Sequence, residues 1–279
     1  MRSVLHSIMS GTPTALVIRT AGTNCDAELE RAFLLAGAHV EKLHLHHLCD
    51  NPGLLDRFDL IGFPGGFSYG DDIASGRIFA MRTRERLYPA LKRAIERGVP
   101  IIGVCNGFQV LAQVGLLPGP ARGQPWPDTA PPSPTVTVTE NASARFVDTW
   151  TRIIPEPGTV CVWTRGLDAV PNAADTLMYP SAHGEGRLVT AGKDTFAELE
   201  RAGQIVLRYA DNFNGSEGAV AGICDSTGLI FGLMPHPERY LDYNRHPYWT
   251  RLPESTRTGD TPGLLLFKNA VRTASTAMV

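Results

Sequence analysis

The sequence lacks the features that mark several common functional classes. It carries no excess of charge: 26 basic and 28 acidic side chains leave a formal net charge of −2, with an isoelectric point near 6.4. So balanced a chain has no basic footprint for nucleic acid or for an anionic membrane surface. It has no run of about 18 apolar residues, which argues against a membrane-spanning helix. Its five cysteines, Cys25, Cys49, Cys105, Cys161 and Cys224, form no C-x-x-C pair, so neither a zinc ribbon nor a redox dithiol is expected. An odd, scattered set suits a reducing cytoplasm, the expected location. Met1–Thr14 holds one arginine and only short apolar runs, which is not a signal peptide. Residues 1–13 read as a disordered leader. No internal repeat is visible.

What is present points to a globular α/β protein. The 279 residues are 43% hydrophobic and 19% charged, enough for one large domain or two small ones with a sizeable core. Ala15–Arg19 reads as a buried strand, followed by cap-type residues at Thr23–Asp26 and a helical pattern over Ala27–Gly37. Further strands are expected at Ala38–Leu43, Asp59–Phe63 and Val99–Val104, with helices at Leu87–Gly98 and Asn106–Val114. This alternation predicts a mostly parallel sheet with helices on both faces. Proline-rich residues 118–134 break the pattern and read as a surface excursion, as do residues 241–262. Beyond them the expected strands are Thr135–Thr139, Ala144–Val147, Val160–Thr164, Leu188–Thr190, Ile205–Tyr209, Ala219–Cys224 and Leu229–Leu233, and Pro262–Ala274 closes as a helix. Several of these strands should be antiparallel. Residues 14–279 are expected to be a single domain.

Three segments carry chemistry. Gly103-Val104-Cys105-Asn106-Gly107 is a G-x-C-x-G pentapeptide between a buried strand and a helix. It is the sulfur counterpart of the elbow that exposes a serine nucleophile. A helix starting at Asn106 aims its free N–H groups at the sulfur, a field that favours thiolate. The plainer alternative is a buried core cysteine; Cys25, near another helix start, is the runner-up nucleophile. Asp59–Asp72 is a strand ending in a glycine-rich loop, where Gly65 and Gly66 can turn N–H groups toward a developing oxyanion. The amide of Asn106 would be a second donor. Gly228–Leu233 is a buried strand followed by Met234-Pro235-His236-Pro237-Glu238-Arg239. Two prolines fix the backbone around His236, and Glu238 could orient its ring, giving the order Cys105, His236, Glu238. Among the other histidines, His44, His46 and His47 read as a solvated strand edge and His246 as a surface residue. His183 sits in a glycine-rich loop that reads as too mobile to orient a base.

Together these residues resemble the class I, triad-type glutamine amidotransferases, whose fold is flavodoxin-like. Gly65–Asp71 (GGFSYGD), Ala182–Arg187 (AHGEGR), Asn214-Gly215-Ser216, Ala221-Gly222-Ile223 and Met234–Arg239 (MPHPER) narrow this to the glutaminase subunits of phosphoribosylformylglycinamidine synthase. The resemblance covers residues 15–274. It departs from the family at Phe213, where a proline is usual, and in the two excursions. It implies that Cys105, His236 and Glu238 are catalytic. Gly65, Gly66, Asn106 and Gln109 would hold the oxyanion or the substrate, and the loop with His183, Glu185 and Arg187 would touch substrate or a partner. It further implies that ammonia from glutamine passes to a large synthetase subunit, assisted by a small bridging subunit, for the conversion of formylglycinamide ribonucleotide. This chain has no G-x-x-x-x-G-K-[ST] loop, so ATP and magnesium are expected on the synthetase, with no cofactor or metal here. A different ammonia acceptor, or a stand-alone γ-glutamyl hydrolase, would use the same triad.

Overall fold

The computed structural model describes residues 11–277; all but residues 11–13 of the expected leader lie outside them. In chain order the elements are β1 (Thr14–Arg19), α1 (Asp26–Leu35), β2 (His39–His44), α2 (Leu45–Asp50), β3 (Leu60–Phe63), α3 (Arg77–Arg86), α4 (Tyr88–Glu96), β4 (Ile101–Val104) and α5 (Asn106–Val114). There follow β5 (Val136–Thr139), β6 (Val147–Pro155), α6 (Ala173–Thr176), β7 (Met178–His183), β8 (Arg187–Thr190), α7 (Lys193–Arg201), β9 (Ile205–Tyr209), β10 (Val220–Cys224), β11 (Ile230–Leu233) and α8 (Pro262–Ala277). Nine strands form one sheet in the order β2-β1-β3-β4-β11-β10-β9-β6-β7, and β5 and β8 make a separate two-stranded pair. From β2 to β11 every pairing is parallel, and from β11 to β7 every pairing is antiparallel. The expected parallel core with antiparallel strands added by the second half is therefore what forms.

The central strands LIGF, IIGV and IFGL are buried at every residue, the pattern of strands covered on both faces. Their side chains show which helix covers which face. Gly62 of β3 faces Leu29 and Phe33 of α1, whereas Gly103 of β4 and Gly232 of β11 face Gly107, Leu111 and Phe108 of α5. Gly62 pairs with Ile102, so Phe63 and Gly103, one residue on, lie on the opposite face. Helices α1 and α5 thus cover opposite faces of the sheet.

Several sequence expectations are corrected. Val160–Thr164 is not a strand. Cys161, Val162 and Trp163 are buried nonetheless, with Trp163 fitted against Phe33, Phe231 and Phe267 and donating its indole N–H to Leu229 O at 2.9 Å. The strand expected at Ala144–Val147 begins only at Val147, because Ala144 takes a left-handed turn, with φ of 51°. His46 and His47 lie on helix α2 rather than on a strand edge, with the His44 ring accepting the His46 N–H at the N-cap; all three are exposed, as expected. His246 is not at the surface but buried at 1% exposure. It donates to Asp175 O at 2.7 Å, accepts from the Tyr248 amide, and is ringed by Trp150, Tyr240 and Tyr248. Helices α2, α3, α6 and α7 and strand β7 have no counterpart in the sequence reading. Residues 121–130 are exposed apart from the half-buried Trp126. Residues 241–262 form short 3-10 turns that bury Leu241, Tyr243, Leu252 and Thr256. No helix among the described residues is long and apolar enough to cross a membrane.

Candidate active site

The register of three neighbouring parallel strands builds the site. Phe63 pairs with Gly103, and Val104 pairs with Leu233. The segments leaving β3, β4 and β11 therefore emerge side by side at the carboxyl edge of the sheet, where open α/β sheets take their ligands. They carry Gly65–Gly66, Cys105 and His236 respectively.

Cys105 occupies the elbow in strained backbone, with φ of 52° and ψ of −110°. A non-glycine residue persists there only when its surroundings fix it. Its N–H donates to Leu233 O at 2.8 Å, and its carbonyl accepts the Gln109 N–H at 3.1 Å, the first turn of α5. The flanking glycines make the bend sterically possible. A Cβ at Gly103 would stand 2.6 Å from Gly107 O, and one at Gly107 would stand 1.9 Å from Phe63 O. Cys105 is 7% exposed and lines a cleft of about 170 Å³.

His236 closes on the sulfur from the next strand. Its backbone N–H donates to Pro180 O at 2.7 Å, pinning it to β7. A Cβ built at Gly65 would lie 2.8 Å from His236 Cε1, 3.2 Å from Cys25 Sγ and 3.3 Å from Cys105 Cβ, so the imidazole and both cysteines converge on one point, Cys105 alone from the strained elbow. Behind the ring, Nδ1 lies 2.6 Å from Glu238 Oε1, and both residues are 2% exposed. Burial alone would push the His236 pKa down. The Glu238 carboxylate and the sulfurs of Cys105 and Cys25 outweigh it and hold the pKa well above the ordinary value.

Gly66, with φ of 143°, meets Thr23 in an isolated antiparallel bridge. That bridge runs through Asn24 N–H to Gly65 O and Phe67 N–H to Gly22 O, so the Gly66 amide takes no part in it. Gly66 lines the cleft, as do Gln109, His183, Glu185, Cys25 and Arg239. Asn106 is the first residue of α5, and its side-chain amide donates to Gln109 Oε1 at 3.0 Å. Gln109 in turn donates to Glu185 O at 2.6 Å, tying the 182–187 segment to the elbow helix. Two aromatic rings, Phe67 and Phe146, stand exposed at the mouth, 6.4 Å apart.

The expectation that His183 sits in a mobile loop is overturned. It ends β7, paired with Val147, and is 3% exposed. Asn141 Oδ1 accepts the Gly186 N–H and lies 3.1 Å from His183 Nδ1, so Nδ1 carries the proton. Nε2 is left as a buried acceptor with no partner. Burial, and then the charge of His236, lower the His183 pKa to about 4, so the ring is neutral. Its other face stacks on Phe213, with centroids 5.6 Å apart, which places the family departure one ring from the cleft. Arg187 lies on β8 and does not line the cleft.

Two residues at the site escaped the sequence reading. Arg239 donates to Cys25 Sγ at 3.0 Å, and Asn141 anchors His183. Arg239 had a visible signal, its place in the MPHPER segment; Asn141, in a polar turn, had none.

The chain matches, over residues 12–273, the family described as a CobB/CobQ-like glutamine amidotransferase domain. The phosphoribosylformylglycinamidine synthase subunit PurQ of Dehalococcoides mccartyi is 40% identical over 266 residues, 93% of this chain and 96% of that one. The subunit of the same name from Methanococcus maripaludis is 37% identical over 278 residues, with the same shares of the two chains. A chain in the structure of PurLQS from Thermotoga maritima matches with a TM-score of 0.67 at 30% identity, over 94% of this chain and 99% of that one.

Proposed function

The chain belongs to the CobB/CobQ-like glutamine amidotransferases, and within them to the PurQ subunits of phosphoribosylformylglycinamidine synthase, and from that premise we propose that Cys105, His236 and Glu238 are its catalytic triad. It is the glutaminase subunit of that synthase in purine biosynthesis. It hydrolyses glutamine and hands the ammonia to a synthetase partner in an assembly with a small subunit.

In the proposed mechanism the Cys105 sulfur attacks the side-chain amide carbon of glutamine. The N–H groups of Gly66 and Asn106 receive the oxyanion, an interaction worth about 10²–10³ in rate per donor. His236, held as imidazolium against Glu238, gives a proton to the departing nitrogen, and ammonia leaves. Water, activated by the now neutral ring, hydrolyses the γ-glutamyl thioester to glutamate. Gln109 and the 183–185 segment form the substrate wall. There, a hydrogen bond from the glutamine amide to His183 Nε2 would satisfy that buried acceptor. ATP and magnesium belong to the synthetase on this reading, and the assembly is cytoplasmic. Residues 14–279 act as one domain, with 118–134 and 241–262 as excursions from it.

The observation that carries the proposal is the convergence of Cys105 and His236 on the point beside Gly65, with Glu238 behind the ring. The test is Cys105→Ala in the assembled complex. Glutamine-dependent synthesis should disappear while ammonia-dependent synthesis continues. Normal glutamine-dependent synthesis would reject the triad.

A further inference from the structure

Cys25 is a second sulfur at this site that the glutaminase mechanism does not use. It is 1% exposed, lines the same cleft as Cys105, and stands beside His236, the point a Gly65 Cβ would occupy being 3.2 Å from Cys25 Sγ and 2.8 Å from His236 Cε1. One donor atom each of Cys25, His236 and Glu238 lies within 4.8 Å of the other two, a grouping found once among the described residues. We propose that these three residues form an inhibitory binding site for Zn²⁺.

Thiolate, imidazole and carboxylate are zinc donors, and bonds of about 2.0–2.3 Å set tetrahedral donors on the order of 3.5 Å apart. The hydrogen-bonded His236–Glu238 pair, 2.6 Å apart, opens to that spacing when the ion replaces the proton between them. An independent observation also points to a cation: Glu238 Oε2 is buried and has no hydrogen-bond partner. A buried carboxylate oxygen left in this way is satisfied by a metal as well as by a donor. Cys25 and His236 line the cleft, which gives the ion its path; Glu238, behind the ring, is reached as its hydrogen bond to His236 opens, and a water completes the fourth position. On binding, the Cys25 thiol and the His236 imidazolium each release a proton to solvent as the Zn–S and Zn–N bonds form. The cost is set by Arg239, whose guanidinium already donates to the sulfur at 3.0 Å and repels a second cation. The affinity is therefore weaker than that of a structural zinc site. Zinc bound here withdraws His236 and Glu238 from proton transfer, so glutamine hydrolysis stops while ammonia-dependent synthesis on the partner is spared.

The test uses Co²⁺ as a spectroscopic probe on the full chain and Zn²⁺ as inhibitor of the assembled complex. One Co²⁺ per chain should give tetrahedral d–d bands and a thiolate charge-transfer band that persists in Cys105→Ala and vanishes in Cys25→Ser. Half-inhibition of glutamine-dependent synthesis, measured against each variant's own metal-free rate, should need roughly tenfold more Zn²⁺ or more in Cys25→Ser. Ammonia-dependent synthesis should not respond to Zn²⁺ at these concentrations. No charge-transfer band, a band kept in Cys25→Ser, or equal zinc sensitivity would overturn the proposal. Should Cys25→Ser fold poorly, X-ray absorption on zinc-loaded Cys105→Ala decides: one sulfur neighbour supports the site and none refutes it. The cobalt spectrum reads the site whether or not the chain turns over glutamine, so its failure is distinct from failure of the triad.

Discussion

A methyl group on Gly107 would stand 1.9 Å from the carbonyl oxygen of Phe63. This contact between the first turn of α5 and the end of β3 sets the Gly65–Gly66 loop beside Cys105. Gly107→Ala must force backbone apart, and overpacking of this kind costs about 1–3 kcal/mol or more. The urea midpoint should fall and glutaminase activity should be lost. Gly53→Ala, where nothing lies within 4 Å of the added carbon, should shift stability by no more than about 0.5 kcal/mol.

Glu238→Gln tests the orienting carboxylate. The amide can still meet His236 Nδ1 but supplies no negative charge. The largest influence holding the ring charged is then gone while burial still opposes the charge, and the His236 pKa moves down. The turnover number for glutamine should fall on the order of 10²–10⁴, with ammonia-dependent synthesis intact. Steady-state rates with the two nitrogen donors, measured across pH, check both statements.

His183 makes stability depend on pH. Its folded pKa of about 4 lies below the ordinary 6.5 because of burial and then the charge of His236. Between these values the unfolded chain binds more protons than the folded one. The contribution of His183 is therefore full above about pH 6.5 and is lost as pH falls toward 4. Its size is on the order of 3 kcal/mol. Urea unfolding near pH 7 and near pH 4.5 should show a smaller difference in His183→Gln than in the native chain by an amount of that order. Equal differences would show that His183 is not held neutral.

The parallel half of the fold was legible because its strands other than the edge strand β2 are short, largely apolar runs and its turns carry glycine. The elbow and the His-Pro-Glu segment were legible for the same reason: a tight backbone demands particular residues. What was not legible depends on contacts distant in sequence. Trp163 buries a segment that reads as a strand. Asn141 rigidifies a loop that reads as mobile by holding His183 from 42 residues away. Cys25 reaches the imidazole only because the Thr23–Gly66 bridge brings the first βα loop under the third, which no local pattern announces. Helix α3, with its many arginines, shows little apolar periodicity, and its place is fixed by packing on α5.

The most direct measurement is peptide mass mapping of the acid-quenched complex during glutamine turnover. A γ-glutamyl thioester should be found on the peptide bearing Cys105 and should be absent from the peptide bearing Cys25. An adduct on Cys25, or steady turnover with Cys105 unmodified at every time sampled, would contradict the account.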